Sequence, residues 1–225
     1  VNYLLPLQLG ECSNNGIICR EGICYLKVGR TYTNPIISDK SVPDPTVVRA
    51  NDGHFYLYAT QTSTYWMPIY RSKDLVNWEY QKTAFTQATK PSLSGGGAFW
   101  APEMQYINGK YVLYFSWAKM NGADVSYTAV AVSDSPLGPF PNSKALITNE
   151  EFGSNAIDQF YYEENGKKYM FFGSFKGIYV TELTDDGLSV KRDVDGMPVL
   201  KKQVCGNAFE GTNIYKKLSL IHISE

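Results

Sequence analysis

The sequence predicts an all-β fold of the propeller type, and three observations carry that reading. A unit of just over fifty residues recurs along the chain. Each recurrence holds an Asp-Gly or Asn-Gly turn between two strands, the second strongly aromatic, and then a more polar half. Gly and Pro punctuate the chain too often for long amphipathic helices. About four strands in a unit of that length is the signature of a propeller blade.

Taken in order, the first unit opens at Asp44-Pro45-Thr46-Val47-Val48, turns at Asp52-Gly53 and returns as His54-Phe55-Tyr56-Leu57-Tyr58. The second opens at Glu103-Met104-Gln105-Tyr106, turns at Asn108-Gly109 and returns as Lys110-Tyr111-Val112-Leu113-Tyr114-Phe115. The third opens at Asp158-Gln159-Phe160-Tyr161-Tyr162, turns at Asn165-Gly166 and returns through Lys167 to Phe172. Both dipeptides tolerate the positive φ that tight hairpins need. Segments 70–85, 129–147 and 178–194 read as the outer strands of the same units. A fourth unit starts at Glu210-Gly211-Thr212-Asn213-Ile214-Tyr215 but shows no turn signal and no Tyr-rich return strand. Residues 218–225 look foreign to the repeat and are set aside as a non-native tail.

Composition narrows the function classes. The 225 residues are 44% apolar and 14% aromatic, with seventeen Tyr and eleven Phe, which suit half-buried pleated surfaces. A formal net charge of −1 argues against nucleic acid or an anionic membrane as a partner held by bulk electrostatics. No apolar run is long enough to span a bilayer. Val1 to Leu9 is too short, and lacks the basic flank, for a full signal peptide, though it could be the stub of one. Cys12, Cys19, Cys24 and Cys205 do not have zinc-site spacing, which leaves buried or free thiols, or a disulfide among the first three. With only His54 and His222, a histidine metal site or a Ser-His-Asp triad has little material.

The first strand of every blade lines a propeller's axis, so the residues that begin those strands converge on one mouth. A single acid at a strand start is ordinarily a solvated turn cap. Acids at the same offset in four successive units, Asp44, Glu103, Asp158 and Glu210, point instead to a shared acidic site.

Several of these strand starts resemble glycoside hydrolase family 43. The likeness rests on Val42-Pro43-Asp44-Pro45, Ser72-Lys73-Asp74-Leu75-Val76-Asn77-Trp78, Phe99-Trp100-Ala101-Pro102-Glu103, Ala156-Ile157-Asp158 and Phe209-Glu210-Gly211-Thr212. It runs from about Asn34 to Lys217 and implies a five-bladed propeller of inverting enzymes that cleave arabinan, arabinoxylan and xylo-oligosaccharides. The stretch Phe172-Gly173-Ser174-Phe175-Lys176-Gly177-Ile178 looks most like the arabinan-cleaving branch. By resemblance Asp44 is the general base, Glu210 the general acid, and Asp158 the third carboxylate that tunes and orients the acid. Inversion itself needs two carboxyls roughly 6.5–9.5 Å apart, one to deprotonate a water and one to protonate the leaving oxygen. Acids on adjacent blades can supply that gap, whereas two on one strand could not straddle a sugar. Glu103 is expected to be structural or to serve a subsite. Trp100 and Trp117 are placed to stack on a sugar, with core packing as the bland reading of each, and Trp78 is expected to pack.

The expected organisation is an N-terminal segment over 1–33, a partial propeller over 34–217 with three complete blades and the first strand of a fourth, and the tail over 218–225. The intact parent is expected to be the enzyme and the 225-residue polypeptide to be poorly folded and inactive. No cofactor is required, although the resemblance allows calcium in the central channel of the intact parent; no metal ligand is assigned here. The partner is an oligo- or polysaccharide, and secretion or periplasmic export follows from that substrate. Two other readings stand beside this one: an invertase-like retaining fructosidase, from which the chain departs at Ile157-Asp158-Gln159 and Glu210-Gly211, and a non-catalytic sugar-binding propeller.

Overall fold

The computed structural model describes residues 17–20, 23–26, 32–38, 40–119, 126–217 and 220–224, with side-chain detail for 32–38, 40–119 and 126–216. The chain divides into two compact units, Val1–Ser38 and Asp39–Glu225, a boundary a few residues beyond the one expected from the repeat. The first unit contains an antiparallel hairpin of β1 (Ile17–Arg20) and β2 (Ile23–Leu26). The side chains of Cys12, Cys19 and Cys24 lie outside the described residues, and with them any disulfide among the three.

The second unit is a row of antiparallel sheets in chain order. The first sheet is β3 (Thr46–Arg49), β4 (Phe55–Tyr58), β5 (Pro68–Ser72) and β6 (Trp78–Thr83). The second is β7 (Ala98–Ile107), β8 (Lys110–Ala118), β9 (Tyr127–Ser133) and β10 (Lys144–Thr148), followed by one helical turn, α1 (Asn149–Phe152). The third is β11 (Phe160–Glu164), β12 (Lys167–Phe172), β13 (Ile178–Leu183) and β14 (Lys202–Cys205). In each, strand order follows the chain and every neighbour is antiparallel, the meander of a propeller blade. The opening strands β3, β7, β11 and β15 (Asn213–Lys217) contact one another in succession, which gathers one strand from every sheet at the axis.

The hairpin signals place the turns well. Asn108-Gly109 and Asn165-Gly166 both have positive φ at each central residue, as a two-residue turn matching strand twist requires. The first blade turns more widely. Only Gly53 is left-handed there, and the Asp52 carboxylate accepts the His54 N–H at 3.0 Å to close the loop. The Ser72–Trp78 motif is also a turn. The Asp74 Oδ1 accepts the N–H groups of Val76 and Asn77, and these bonds, led by that from Asn77, hold its carboxyl down at about 2. Trp78 packs over the turn and donates from Nε1 to the Leu75 carbonyl, as expected.

Two sequence expectations need correction. The last strand of the third blade is not within 178–194 but at 202–205, because Asp186 and Asp193 accept backbone N–H groups and wind the intervening chain into successive tight turns. The fourth unit has two strands, not one: β16 (Leu220–Ser224) pairs antiparallel with β15, Ile214 opposite Ile223. Leu220-Ile221-His222-Ile223-Ser224 carries strand propensity in its β-branched residues without a Gly or Asn to announce the turn.

Aromatic side chains fill the spaces between blades. Between the first two, Phe85 stacks on Phe99 at 4.5 Å between centroids, with Phe115 at 4.9 Å and Phe140 beyond. Between the second and third, Tyr114 stacks on Tyr161 and Phe152 meets Phe172 edge-on at 5.1 Å. Burying one such side chain contributes about 1.5–3 kcal/mol, so the blade interfaces, more than any single sheet, hold the unit together.

Candidate active site

At the start of each inner strand the backbone passes through the left-handed region: Asp44 at φ 49°, Ala101 at 40°, Asp158 at 56° and Gly211 at 67°. An L-residue there costs roughly 1–2 kcal/mol, least for Asp. The conformation holds because its surroundings over-determine it. Just before the turn, the return strand donates back in the same way in two blades: Thr60 N–H to the Pro43 carbonyl at 3.0 Å, and Gly173 N–H to that of Ile157 at 2.9 Å. In the second blade Trp100 pairs with Ser116 across a bulge that ends at Glu103. Thr60, Ser116 and Gly173 are therefore equivalent positions.

Two of these positions carry a hydroxyl that reaches the next blade. Thr60 Oγ1 accepts the Ala101 N–H at 2.7 Å, and Ser116 Oγ accepts the Asp158 N–H at 3.0 Å. The first and second blades thus clamp the left-handed turns of their successors. Gln159 extends the clamp, accepting from Ser116 Oγ at 3.1 Å and donating to the Ala101 carbonyl.

The backbone register corrects the expectation of four acids in one ring. Asp44 and Asp158 share the left-handed position, but in the second blade that place belongs to Ala101. Glu103 lies two residues further on, level with Thr46 and Phe160, and Glu210 lies one residue before Gly211. The second blade simply carries its acid two residues later than the first and third, with the same three-against-two irregularity of pairing in all three.

Asp44, Asp158 and Glu210 nevertheless come together. Asp158 is half-buried, and its carboxyl is pushed up to about 7, first by burial and then by the negative charges of Glu210 and Asp44. Asp44 and Glu210 are exposed and each accepts a hydroxyl: Thr60 Oγ1 donates to Asp44 Oδ2 at 2.6 Å, and Ser174 Oγ donates to Glu210 Oε2 at 2.8 Å. Ser174 also forms a backbone bridge with Glu210, so the last acid is tied to the third blade by main chain and side chain together. The arrangement offers two water-facing carboxylates flanking a third that holds a proton near neutral pH.

Glu103 stands apart from them. It is buried, accepts Thr46 Oγ1 at 3.2 Å and Gln105 Nε2 at 2.7 Å, and is further bonded by the Tyr161 N–H. Burial drives its carboxyl up to about 7 against those three bonds. Its partners come from three blades, so it is a staple beneath the site, in keeping with the structural role expected.

The two tryptophans part company. Trp100, the residue before Ala101, is half-buried. Trp117 is only 2% exposed, packs edge-on against Phe99 at 4.9 Å and donates from Nε1 to the Leu93 carbonyl at 3.1 Å. A Cβ on Gly96 would fall 2.0 Å from its ring. Trp117 is therefore interblade core and not a sugar platform. Its place late in an inward-facing strand reads the same in sequence for either role.

Sequence reasoning missed Thr60, Ser116 and Ser174. A signal existed: each follows the aromatic return strand of its unit by one or two residues. Among the described residues no group of three or more His, Cys, Asp or Glu is arranged to hold a metal ion, so no step is drawn through calcium. No helix among them is long and apolar enough to cross a membrane.

Inner strands gathered at one axis, with three acids meeting at their starts, define a partial β-propeller with an acidic mouth. The chain belongs to glycosyl hydrolases family 43, whose model matches residues 32–223. It is 30% identical over 156 residues to the extracellular endo-α-(1→5)-L-arabinanase 1 of Bacillus subtilis, covering 65% of this chain and 47% of that protein. It is also 30% identical over 150 residues to a xylan 1,3-β-xylosidase of Vibrio sp., covering 62% of this chain and 26% of that one. The solved α-L-arabinanase of Cellvibrio cellulosa superposes with a TM-score of 0.62 at 27% identity, covering 82% of this chain and 64% of that structure. The chain thus spans less than half of either sequence relative.

Proposed function

We propose that this propeller belongs to an inverting glycoside hydrolase of pentose-containing plant polysaccharide, with α-1,5-linked arabinan as the first substrate class. The observation that carries the reading is the convergence of three acids at the strand starts, where Asp158, raised first by burial, also feels the negative charges of Glu210 and Asp44. Asp44, exposed and oriented by Thr60, is the base. It takes a proton from water as the water oxygen attacks the anomeric carbon. Glu210, oriented by Ser174, is the acid and delivers a proton to the departing glycosidic oxygen. Asp158, close enough to feel the charges of both Glu210 and Asp44, is the third carboxylate that the family resemblance assigns to tuning and orienting the acid. Arabinan is favoured by the names of the Bacillus and Cellvibrio relatives and by the Phe172–Ile178 stretch. Export accords with a polymeric substrate and with the Bacillus relative's being named extracellular.

The test is the configuration of the first product. Purified protein, as the 225-residue chain and as any longer product of the same coding region, is incubated with linear arabinan and with xylan and followed by proton NMR. Inverted arabinose products support both mechanism and substrate; inverted xylose products keep the mechanism and move the substrate. Retained configuration would make Asp44 a nucleophile and overturn the reading, and so would the absence of cleavage by every form. Cleavage by the 225-residue chain itself would refute only the expectation that this length is inactive.

A further inference from the structure

The five residues directly after the aromatic strand β12, Gly173 to Gly177, form a tight turn whose geometry the three carboxylates do not explain. Gly173 stands at φ 135°, where a Cβ would meet the Gly177 carbonyl oxygen at 2.1 Å, so the turn closes on its own backbone. Ser154 Oγ donates to that same Gly177 carbonyl at 2.9 Å, and Asn155 Nδ2 donates to the carbonyl of Ser174. Held inside this turn is Phe175, at φ 52° and 58% exposed.

Both features run against a phenylalanine's ordinary behaviour. A bulky side chain rarely adopts the left-handed region, where glycine or asparagine would be at ease. A large apolar ring facing water contributes no packing. Single exposed apolar residues are common, but one that is exposed, left-handed and fixed from several sides is a strained residue of the kind that gathers at binding sites.

Its position supplies the role. The Phe175 N–H donates to the Phe209 carbonyl at 3.0 Å, and its neighbour Ser174 bridges Glu210 through both backbone and hydroxyl. The ring is therefore anchored one residue from the partner of the acid and is open to solvent. The acid faces the leaving oxygen, so the sugar carrying that oxygen must lie near Glu210 and the residues beside it.

We propose that Phe175 is a stacking platform for the sugar on the leaving-group side, its ring covering the apolar C–H face of a pentose ring. This rests on the reading of Glu210 as the acid. A flat, rigid aromatic costs little conformational entropy on binding and excludes water from the leaving oxygen.

The test is calorimetric titration of the 225-residue chain with arabinotriose and with xylotriose, in an Asp44→Asn background so that the ligand is not consumed. Phe175→Ala is expected to weaken binding of the favoured oligosaccharide about fivefold or more, and Phe175→Trp to hold it within about twofold. Phe175→Gly is expected to weaken binding as Phe175→Ala does while raising the urea midpoint above it, since glycine relieves the left-handed strain. Unchanged affinity in Phe175→Ala overturns the platform, whatever hydrolysis is seen. Failure of the chain to bind either oligosaccharide overturns it too. Loss of binding in Phe175→Ala with no cleavage by any length of the protein would keep the platform and sink the hydrolase reading.

Discussion

The hydroxyl of Thr60 donates to the carboxylate of Asp44 at 2.6 Å while accepting the backbone N–H of Ala101 at 2.7 Å. One side chain therefore fixes the acid of its own blade and the turn of the next. Thr60→Val keeps the shape and removes both bonds, leaving the Ala101 N–H without its acceptor. A loss of about 1–2 kcal/mol in urea denaturation is expected. Thr60→Ser should recover most of it, whereas an equal loss in both would mean that the methyl group mattered and the hydroxyl did not.

Asp158 and Glu103 each carry a carboxyl raised to about 7, against ordinary values of 3.8 and 4.5. A group raised on folding favours the folded state most at low pH. That contribution is complete below pH about 4 and is lost as pH rises through about 7. Stability measured by urea midpoint should therefore fall between pH 4 and 7 and level off above. Glu103→Gln, which cannot ionise, should flatten this slope, gaining on the wild type as pH rises. Glu103→Ala also removes the titration but should lose about 2–4 kcal/mol near pH 4, because three donors lose their acceptor, with the deficit against the wild type narrowing as pH rises. A pH profile identical in wild type and Glu103→Gln would show that Glu103 does not titrate in this window.

The outline of the fold was open to sequence reading because it rests on local chemistry that repeats. Asn108-Gly109 and Asn165-Gly166 can do little but turn, and the Tyr-rich strands after them can bury themselves only between sheets. The site was less open. Asp44 and Asp158 were found because each occupies the same place in its unit. Glu103 was misplaced because it was aligned as an acid, although it stands six residues before the turn glycine Gly109 where Asp158 stands eight before Gly166, the offset that Ala101 holds in the second unit. Trp117 was misjudged because whether an aromatic faces sugar or core depends on what lies opposite, here Gly96 and Phe99, far from it in the repeat pattern. The hydroxyls of Thr60, Ser116 and Ser174 escaped notice because serine and threonine are common and only their partners give them meaning.

Acid and base are separable by leaving group. In whichever length of chain shows hydrolysis, Glu210→Gln should lower turnover of arabino-oligosaccharides by about 10²–10⁴. It should cost far less on an aryl arabinoside, whose phenolate departs without a proton. Asp44→Asn should damage both substrates alike, since water must be activated in either case. The opposite pattern would exchange the two roles.

The tryptophans offer a packing control. Trp117→Ala should cost about 3–5 kcal/mol of stability, and Gly96→Ala about 1–3 kcal/mol through its collision with the indole. Trp100→Ala should be milder in denaturation and show itself in oligosaccharide affinity measured by titration. If Trp117→Ala weakened sugar binding while leaving the urea midpoint untouched, the assignment of Trp117 to the core would be wrong.

The left-handed turn at the axis is occupied by Asp, Ala, Asp and Gly in successive units, with φ between 40° and 67° in each. Its conformation is thus imposed by the frame and not chosen by the residue that sits in it. Each unit presents a socket whose contents can be exchanged without reshaping the chain around it. A lineage built on such units can move a charge from one blade to another, or blank a position as at Ala101, by single substitutions. Diversity of sugar chemistry on one scaffold then needs no new architecture, only a different choice of what fills each socket.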